Sequence, residues 1–506
     1  MILPLDRLPP IVRSGLLTLD LLLLAGCAVG PDFQRPRTHP IEGYTEAPLQ
    51  AAAGSQPIGA GARQRFVPGR DIPGEWWQLF RSPVITGLVE ATLRRNPTVE
   101  AAQASLRQAQ EQRLQQEGTL LPDIFGSVLR NRSETPGFLS GSPGTSFNQT
   151  FYGAQLDLSY TLDIWGGLRR AVEQVGARVE FQRFQLEATD LALAAGVATS
   201  AVEAASLGGQ IKVQQDLIGF ETRQLETVRR QFELGGATGT DVATQQAQVA
   251  TARTVLVPLQ TQLGQTRDQI AAYLGEAPSE LRIPALALDD ITLPGTLPVS
   301  VPAALLDQRP DIRQAEATLH QQTAGLGVAI AQRLPNVTLT ASVGSDAADM
   351  HQLFSPGNGL WSLVNQAVQP IFDAGQLLHA QRAQRAALDN AAANWRNTVV
   401  VAFQNVADVL VALQNDEVAL AANLDAQQAS QRALSLASLQ YRLGGVSYLS
   451  VLTAQQSYQN AILSLLRARA TRYTDTIALY QALGGGWWHR DDQPAPPPGL
   501  LSSPLP

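Results

Sequence analysis

One cysteine in 506 residues leaves the chain no way to cross-link itself, so its stability cannot rest on disulfides. Charged residues are sparse, 16% of the total with a net charge of −7 and no basic tract, which argues against nucleic acid as a partner. Beyond residue 26 there is no unbroken apolar run as long as the roughly 18 residues a membrane helix needs. Any membrane crossing would have to be made by strands in a closed barrel. The five histidines, His39, His320, His351, His379 and His489, are scattered without metal-ligand spacing. Gly325-Leu326-Gly327 lacks a third glycine at nucleotide-binding spacing and reads as helix packing. Asp289-Asp290 and Asp491-Asp492 sit beside prolines in linkers and read as solvated. No catalytic residue, no metal site and no diffusible cofactor is expected.

Residues 1–26 carry Arg7 and Arg13, then Leu16 to Leu24 broken only by Thr18 and Asp20, then small residues. That is the pattern of a secretory signal. It ends in Leu24-Ala25-Gly26-Cys27, which resembles the lipobox of bacterial lipoproteins. Cys27 is therefore the expected lipidation site, bearing diacylglyceryl and N-acyl chains. Two or three such chains anchor firmly where one is marginal. Ala28 rather than Asp follows, which by resemblance to enterobacterial lipoproteins favours the outer membrane.

The chain repeats itself. Gln231-Phe232-Glu233-Leu234-Gly235-Gly236 returns as Gln440-Tyr441-Arg442-Leu443-Gly444-Gly445, 209 residues on, as do Leu274-Gly275 in Leu483-Gly484 and Gly166 in Gly375. Upstream, Asn96-Pro97 pairs with Arg309-Pro310 and Leu121-Pro122 with Leu334-Pro335, at an offset of 213. The four-residue difference falls in the Gly/Pro/Ser-rich stretch Asn131 to Thr150, expected to be a loop, whose counterpart is Asp346 to Gly359. The division is then 1–26 signal, 27–85 N-terminal segment, 86–276 first repeat, 277–303 linker, 304–485 second repeat and 486–506 tail.

Each copy reads as helix, strand, loop, strand, very long helix, Gly turn and returning helix. Tyr152, Ala154, Leu156, Leu158, Tyr160 and Leu162 alternate with polar or small residues, and Val337, Leu339, Ala341 and Val343 do likewise. Their partners, Asp123 to Arg130 and Trp361 to Phe372, alternate poorly and are inferred from the repeat. From Leu168 to Leu234 no proline occurs, which predicts a helix of about 100 Å. Heptads run through Val172, Val179, Leu186 and Leu193, then, after a four-residue stutter at Leu207, through Ile211, Ile218, Leu225 and Phe232. The second copy repeats this with Leu388, Trp395, Ala402 and Val409, then Leu420, Leu434 and Tyr441.

Four strands per chain are too few to close a barrel, since about eight are the minimum, so the protein must oligomerise; a cyclic trimer gives twelve. Over nearly all its mature length the chain resembles the TolC/OprM-like outer-membrane channel subunits of resistance-nodulation-division efflux systems. Four segments carry the resemblance: Cys27 to Phe33 with Pro36; Arg309-Pro310-Asp311-Ile312 with Ala315-Glu316; Tyr441-Arg442-Leu443-Gly444 with Tyr448-Leu449; and Ala482-Leu483-Gly484-Gly485-Gly486-Trp487. The resemblance implies an α+β membrane protein. Its trimeric 12-stranded β-barrel would continue as a long α-helical periplasmic barrel with a mixed equatorial belt. That belt would take Pro40 to Pro83, Ala277 to Pro302 and the segment after Gly484. The implied function is the exit duct of a tripartite pump, passively conducting drugs and other small molecules. The implied partners are a homotrimer, a periplasmic adaptor, an inner-membrane transporter of the resistance-nodulation-division class and outer-membrane lipid. The same fold could serve type I protein secretion. A periplasmic adaptor or scaffolding lipoprotein would need one helical hairpin between β-sandwich modules, not two copies with amphipathic strands inside.

The resemblance also implies sites. Gly235, Gly236, Ala237, Gly444, Gly445 and Val446 would form the periplasmic tip that meets the adaptor. Leu449, Ser450, Thr453 and Gln456 would line the tip gate, with Asp241 and Tyr441 matching a pair that locks the closed tip in relatives. Here Thr453 and Gln456 replace the carboxylate and arginine of close relatives. For the anchor, Cys27→Ala is expected to abolish labelling by a clickable fatty acid, since no other thiol exists; equal labelling of the variant would refute lipidation at Cys27.

Overall fold

A computed structural model describes residues 28–37, 43–45, 64–136 and 146–490. The leader, Cys27, His39, Asp491 and Asp492 lie outside the described residues. In the first copy α1 (Pro83–Arg95) and α2 (Pro97–Gly118) lead into β2 (Asp123–Pro136) and β3 (Ser146–Leu162), then α3 (Gly167–Glu233) and α4 (Gly239–Leu274). The second copy repeats that order as α5 (Pro302–Gln308), α6 (Pro310–Ala331), β5 (Asn336–Ala347), β6 (Gly359–Val368), α7 (Gln376–Arg442) and α8 (Tyr448–Ala482). Short strands β1 (Arg65–Pro68) and β4 (Thr296–Val299) pair in parallel beside them.

The four long strands form one antiparallel sheet in the order β2-β3-β5-β6. Its register sorts side chains by face. Ile124, Leu158, Ala341 and Leu363 lie in one cross-strand row, and Gly126, Leu156, Val343 and Trp361 in the next. The opposite face carries Asp123, Ser159 and Thr340, then Asp157, Ser342 and Ser362, interrupted by Phe125 and Val364. Ile124, Val128, Leu156, Val343, Trp361 and Leu363 are exposed on the chain, as expected of a face whose solvent is lipid.

The strands depart from expectation at their ends. The ladder runs from Asn131↔Phe151 out to Pro136↔Ser146, so much of the expected Asn131–Thr150 loop is paired strand. Ser, Thr, Asn and Arg there do not prevent a ladder made by backbone groups. β6 stops at Val368 instead of Phe372, because Pro370 has no N–H to donate.

Helices α3 and α7 each have 67 residues, about 100 Å of rod. Each starts after a glycine at positive φ, Gly166 at 73° and Gly375 at 84°. Each is capped by an aspartate: Asp163 accepts from the N–H groups of Leu168 and Arg169 at 2.9 and 3.0 Å, and Asp373 from Leu377 at 2.8 Å. Both rods are apolar enough to cross a bilayer by length and composition; α3 buries more than half of that stretch, whereas α7 lays only one side of its own against the core.

That core is the belt. Trp76 stacks on Tyr480 with centroids 5.4 Å apart, and Phe80 meets Tyr480 edge-on. Around them lie Ile72 and Ile85, Ala194 to Ala205 of α3, Trp395 to Leu413 of α7, and Tyr473, Ile477 and Leu479 of α8. The expected belt segments contribute Ile72 to Phe80 and Leu288 to Val299, with Trp488 packed against them.

Two corrections to the heptads follow. In α7 Ala391, Trp395, Val399, Ala402, Val406, Leu410 and Leu413 are buried in a 4-4-3 spacing that repeats every 11 residues, and Leu420, also buried, follows a heptad later as expected. At about 3.67 residues per turn such a stripe asks for no left-handed supercoil. Of the expected set, Leu388 and Val409 are only half-buried. In the lower half of α3 the buried line is Leu207, Gln210, Gln214, Glu221, Leu225 and Val228. Ile211 and Ile218 are half-buried and Phe232 is exposed. The seam within the chain is thus partly polar: Val179, Leu186 and Leu225 are buried as expected, whereas Ile211, Ile218 and Phe232 lie off the buried line.

The register makes a test. Leu158 shares its face with the exposed apolar rows and Ser159 does not. An Arg at the lipid midplane costs about 2–4 kcal/mol, so Leu158→Arg is expected to lower the heat resistance of the oligomer on gels much more than Ser159→Arg. The opposite order would mean that the sheet faces are reversed.

Candidate functional site

Two regions assemble the residues singled out above, and the first is the junction where strands become helices. The Val29 N–H donates to the Trp165 carbonyl at 2.9 Å, and Arg170 reaches both the Val29 carbonyl, at 3.3 Å, and Asp32, at 2.5 Å. Phe33 stacks on His320 at 4.3 Å, and Arg35 pairs with Asp307 and Glu316. Gly30, at φ 92°, lies so close to Gly327 that a Cβ would come within 2.6 Å of its Cα. Gly325 and Gly327 are therefore packing glycines, as read from the sequence. These contacts hold Ala28 against Gly166, at the top of α3, one residue from Cys27.

The second region is the pair of hairpin tips at the far ends of the rods. At the first, the Gly235 N–H bonds to the Phe232 carbonyl at 3.0 Å and the Gly236 N–H to Gln231 at 2.7 Å. At the second, Gly444 bonds to Tyr441 at 3.0 Å and Gly445 to Gln440 at 2.8 Å. This is the Schellman pattern twice. Gly235 and Gly444 have φ of 75° and 76°, a conformation costly for any other residue. Gly236 and Gly445 have ordinary φ and only ordinary contacts, the nearest at 3.6 Å. Ala237 and Val446 are half-buried, and Leu234 and Leu443 stand out at the apices, 87% and 77% exposed.

Leu449, Ser450, Thr453 and Gln456 all lie on the exposed side of α8, while Val451 and Leu452 are buried. Thr453 spends its hydroxyl on the Leu449 carbonyl at 3.0 Å, and Ser450 meets Ser447 at 3.3 Å. Asp241 is engaged with Thr238 in a capping box. Bonds from the Thr238 hydroxyl and N–H hold its carboxyl below the usual range. Tyr441 packs on Tyr448, ring centroids 5.4 Å apart. Tyr448 in turn reaches Gln245 and, through it, Glu221. Sequence reading missed this chain, because a Gln or Glu on a helix carries no sign of being buried. Asp289 and Asp290, read as solvated, are engaged too: Asp289 pairs with Arg469 and Asp290 accepts from the Ala287 N–H.

A third arrangement closes each repeat. Asn96 donates to the Tyr273 carbonyl at 2.8 Å and accepts from the Thr98 N–H. Arg309 donates to the Ala482 carbonyl at 2.9 Å while chelated by Asp311 at 3.0 and 2.6 Å. The residue before the second helix of each copy thus ties down the end of its returning helix.

The family model described as outer membrane efflux protein matches residues 88–276 and 301–485. The chain belongs to that family. The probable efflux pump outer membrane protein TtgC of Pseudomonas putida is 30% identical over 479 residues, covering 94% of this chain and 96% of the relative. Among solved structures, the outer-membrane channel OprN superposes with a TM-score of 0.81 at 26% identity, covering 91% of this chain and 100% of that one. The Campylobacter jejuni CmeC outer membrane channel gives a TM-score of 0.84 at 20% identity, covering 92% and 97%, and so speaks to the fold alone. The resemblance read from four short segments therefore holds over 94% of the chain. The fold class is the α+β architecture of the trimeric outer-membrane channel tunnels. The protein is the outer-membrane component of an efflux system, in a family whose role is non-enzymatic transport.

Proposed function

We propose that three copies of the chain join β6 of one protomer to β2 of the next, closing a 12-stranded barrel from which the helices descend into the periplasm as one tube. The observation that carries this reading is the four-stranded sheet with two unpaired edges and one apolar, exposed face, which cannot stand alone in lipid. Asp157, Ser159, Thr340 and Ser342 then line the lumen, a polar path for solutes handed on by a pump. Ile211 and Ile218, half-buried beside the chain's own seam, and the exposed Phe232 are placed to pack against the neighbouring protomer. In this reading residues 27–85 and 277–303 form the belt with the tail 486–506, around the repeats 86–276 and 304–485.

Lipid on Cys27 completes the anchor. Ala28 is held beside Gly166, at the level where β3 gives way to α3, so acyl chains on the preceding residue emerge at the membrane surface. The tips carry the other contacts. Gly235, Gly236 and Ala237 with Gly444, Gly445 and Val446 meet the hairpins of a periplasmic adaptor, which links the duct to an inner-membrane transporter of the resistance-nodulation-division class. Cargo follows from that transporter. Gly445 has room for a side chain without backbone strain. Gly445→Trp is therefore expected to leave trimers intact while abolishing efflux and adaptor cross-linking; unchanged cross-linking would count against the tip assignment.

At the gate, three Leu449 side chains meeting on the axis form an apolar constriction that closes by dewetting. Ser450, Thr453 and Gln456 add no fixed charge there. The Asp241 carboxyl, held below its usual range by Thr238, stays ionised in mild acid. Single-channel conductance in planar bilayers is accordingly expected to depend weakly on divalent cations and on mild acid, and Leu449→Ala to raise it. Strong cation block that disappears on replacing Asp241 would move the gate's charge to the first copy.

A further inference from the structure

One buried cluster near the tips plays no part in the gate described above. Glu221 on α3, Gln245 on α4 and Tyr448, the first residue of α8, meet there; Gln245 is fully enclosed and Glu221 is 5% exposed. The Glu221 carbonyl can only accept, so the Gln245 amide must turn its Nε2 towards it, at 3.1 Å. That orientation leaves Oε1 facing Tyr448, whose hydroxyl donates to it at 2.8 Å. The second Nε2 hydrogen goes to the Glu221 carboxyl. Burial raises the Glu221 carboxyl above its usual range, partly offset by the Gln245 bond. Burial, with Glu221 and Tyr441 nearby, also pushes the Tyr448 phenol up, so it remains a donor at every physiological pH.

We propose that the Tyr448–Gln245–Glu221 chain is the latch that holds the start of the second hairpin's returning helix against the first hairpin and keeps the Leu449 constriction closed. The proposal rests on the tip being the gate. Latch and constriction are consecutive residues, about 100° apart around the helix: Tyr448 is half-buried towards the first hairpin, and Leu449 is 65% exposed. The start of α8 therefore cannot carry Leu449 far from the axis while Tyr448 stays on Gln245. The Tyr441 ring against Tyr448 binds the end of α7 to the same movement. Asp241 is spent on capping its own helix and makes no equivalent link among the described residues. A buried hydrogen bond also differs from an exposed ion pair in being little screened by salt.

Tyr448→Phe keeps the ring and its contact with Tyr441 and removes only the hydroxyl. In full-length trimers in planar bilayers, the ratio of closed to open is expected to fall about tenfold, equivalent to roughly 1.4 kcal/mol, and equally so at low and high salt. Gln245→Leu should open the channel to a similar degree, and the double variant no further than either alone, because both remove the same bond. Leu449→Ala runs in parallel to test the gate itself. If Leu449→Ala opens the channel but Tyr448→Phe does not, the latch is refuted and the gate stands. Loss of trimer heat resistance in Tyr448→Phe without any gain in conductance would show a purely structural bond, and additive effects in the double variant would show two separate ones; either overturns the proposal. If neither Leu449→Ala nor Tyr448→Phe opens the channel, the gate lies elsewhere and the latch falls with it.

Discussion

Unpaired backbone in hydrocarbon is the constraint on which the rest of the molecule turns. Every second residue of β2 and β6 would leave both its N–H and its C=O without a partner, at a cost of several kcal/mol per group in lipid. A sheet of four strands can escape that cost only by meeting other sheets edge to edge until a cylinder closes. Once it closes, the alternation along each strand acquires its meaning, with Leu156 and Leu158 outward and Asp157 and Ser159 inward. Because both strands of each copy connect to helices at the same end, closure of the sheet also gathers the 67-residue rods into a ring below it.

The repeat supplies what a ring of rods needs next, which is a fixed length between membrane and tip. Asn96 and Arg309 are different residues, yet each binds the last carbonyls of its own returning helix. One is an amide that also caps a helix, the other a guanidinium held by a neighbouring carboxylate. The geometry of the clasp has been kept while its chemistry diverged. At the opposite end the two glycine turns match to within 1° in φ, so the tips present nearly the same backbone twice in every chain.

Much of this was legible in the sequence because it rests on backbone demands that few residues satisfy. The long helices could be read from the missing proline and the bounding glycines, and β3 and β5 from their period of two. β2 and β6 were legible only through the repeat, since their lumen face carries Phe125 and Val364 among the polar residues. The heptads misled for a different reason. Apolar periodicity marks a stripe but not the partner it faces, and in α3 the stripe of Ile211 and Ile218 is not the one the chain buries against itself. The polar seam through Gln214 and Glu221 was invisible, because burial of an amide or a carboxyl is decided by its bonding partners on other helices. Gln214, for example, donates to the Ala252 carbonyl.

The three glycines after α8 have a consequence for how the protein comes into being. Gly484, Gly485 and Gly486 all have positive φ, and a Cβ on each would strike, in turn, the Gln308 carbonyl, Leu191 and the Pro73 carbonyl. One turn near the end of the described chain thus touches segments delivered hundreds of residues earlier. Contacts of such sequence separation are slow to form. The aromatic centre around Trp76 and Tyr480 stays unfinished until the last part of the second repeat has been exported and has found its place. Completion of folding is timed by the arrival of the chain's final tenth, and a subunit truncated there would expose its Trp76 and Phe80 surface to capture or degradation before it could join a ring.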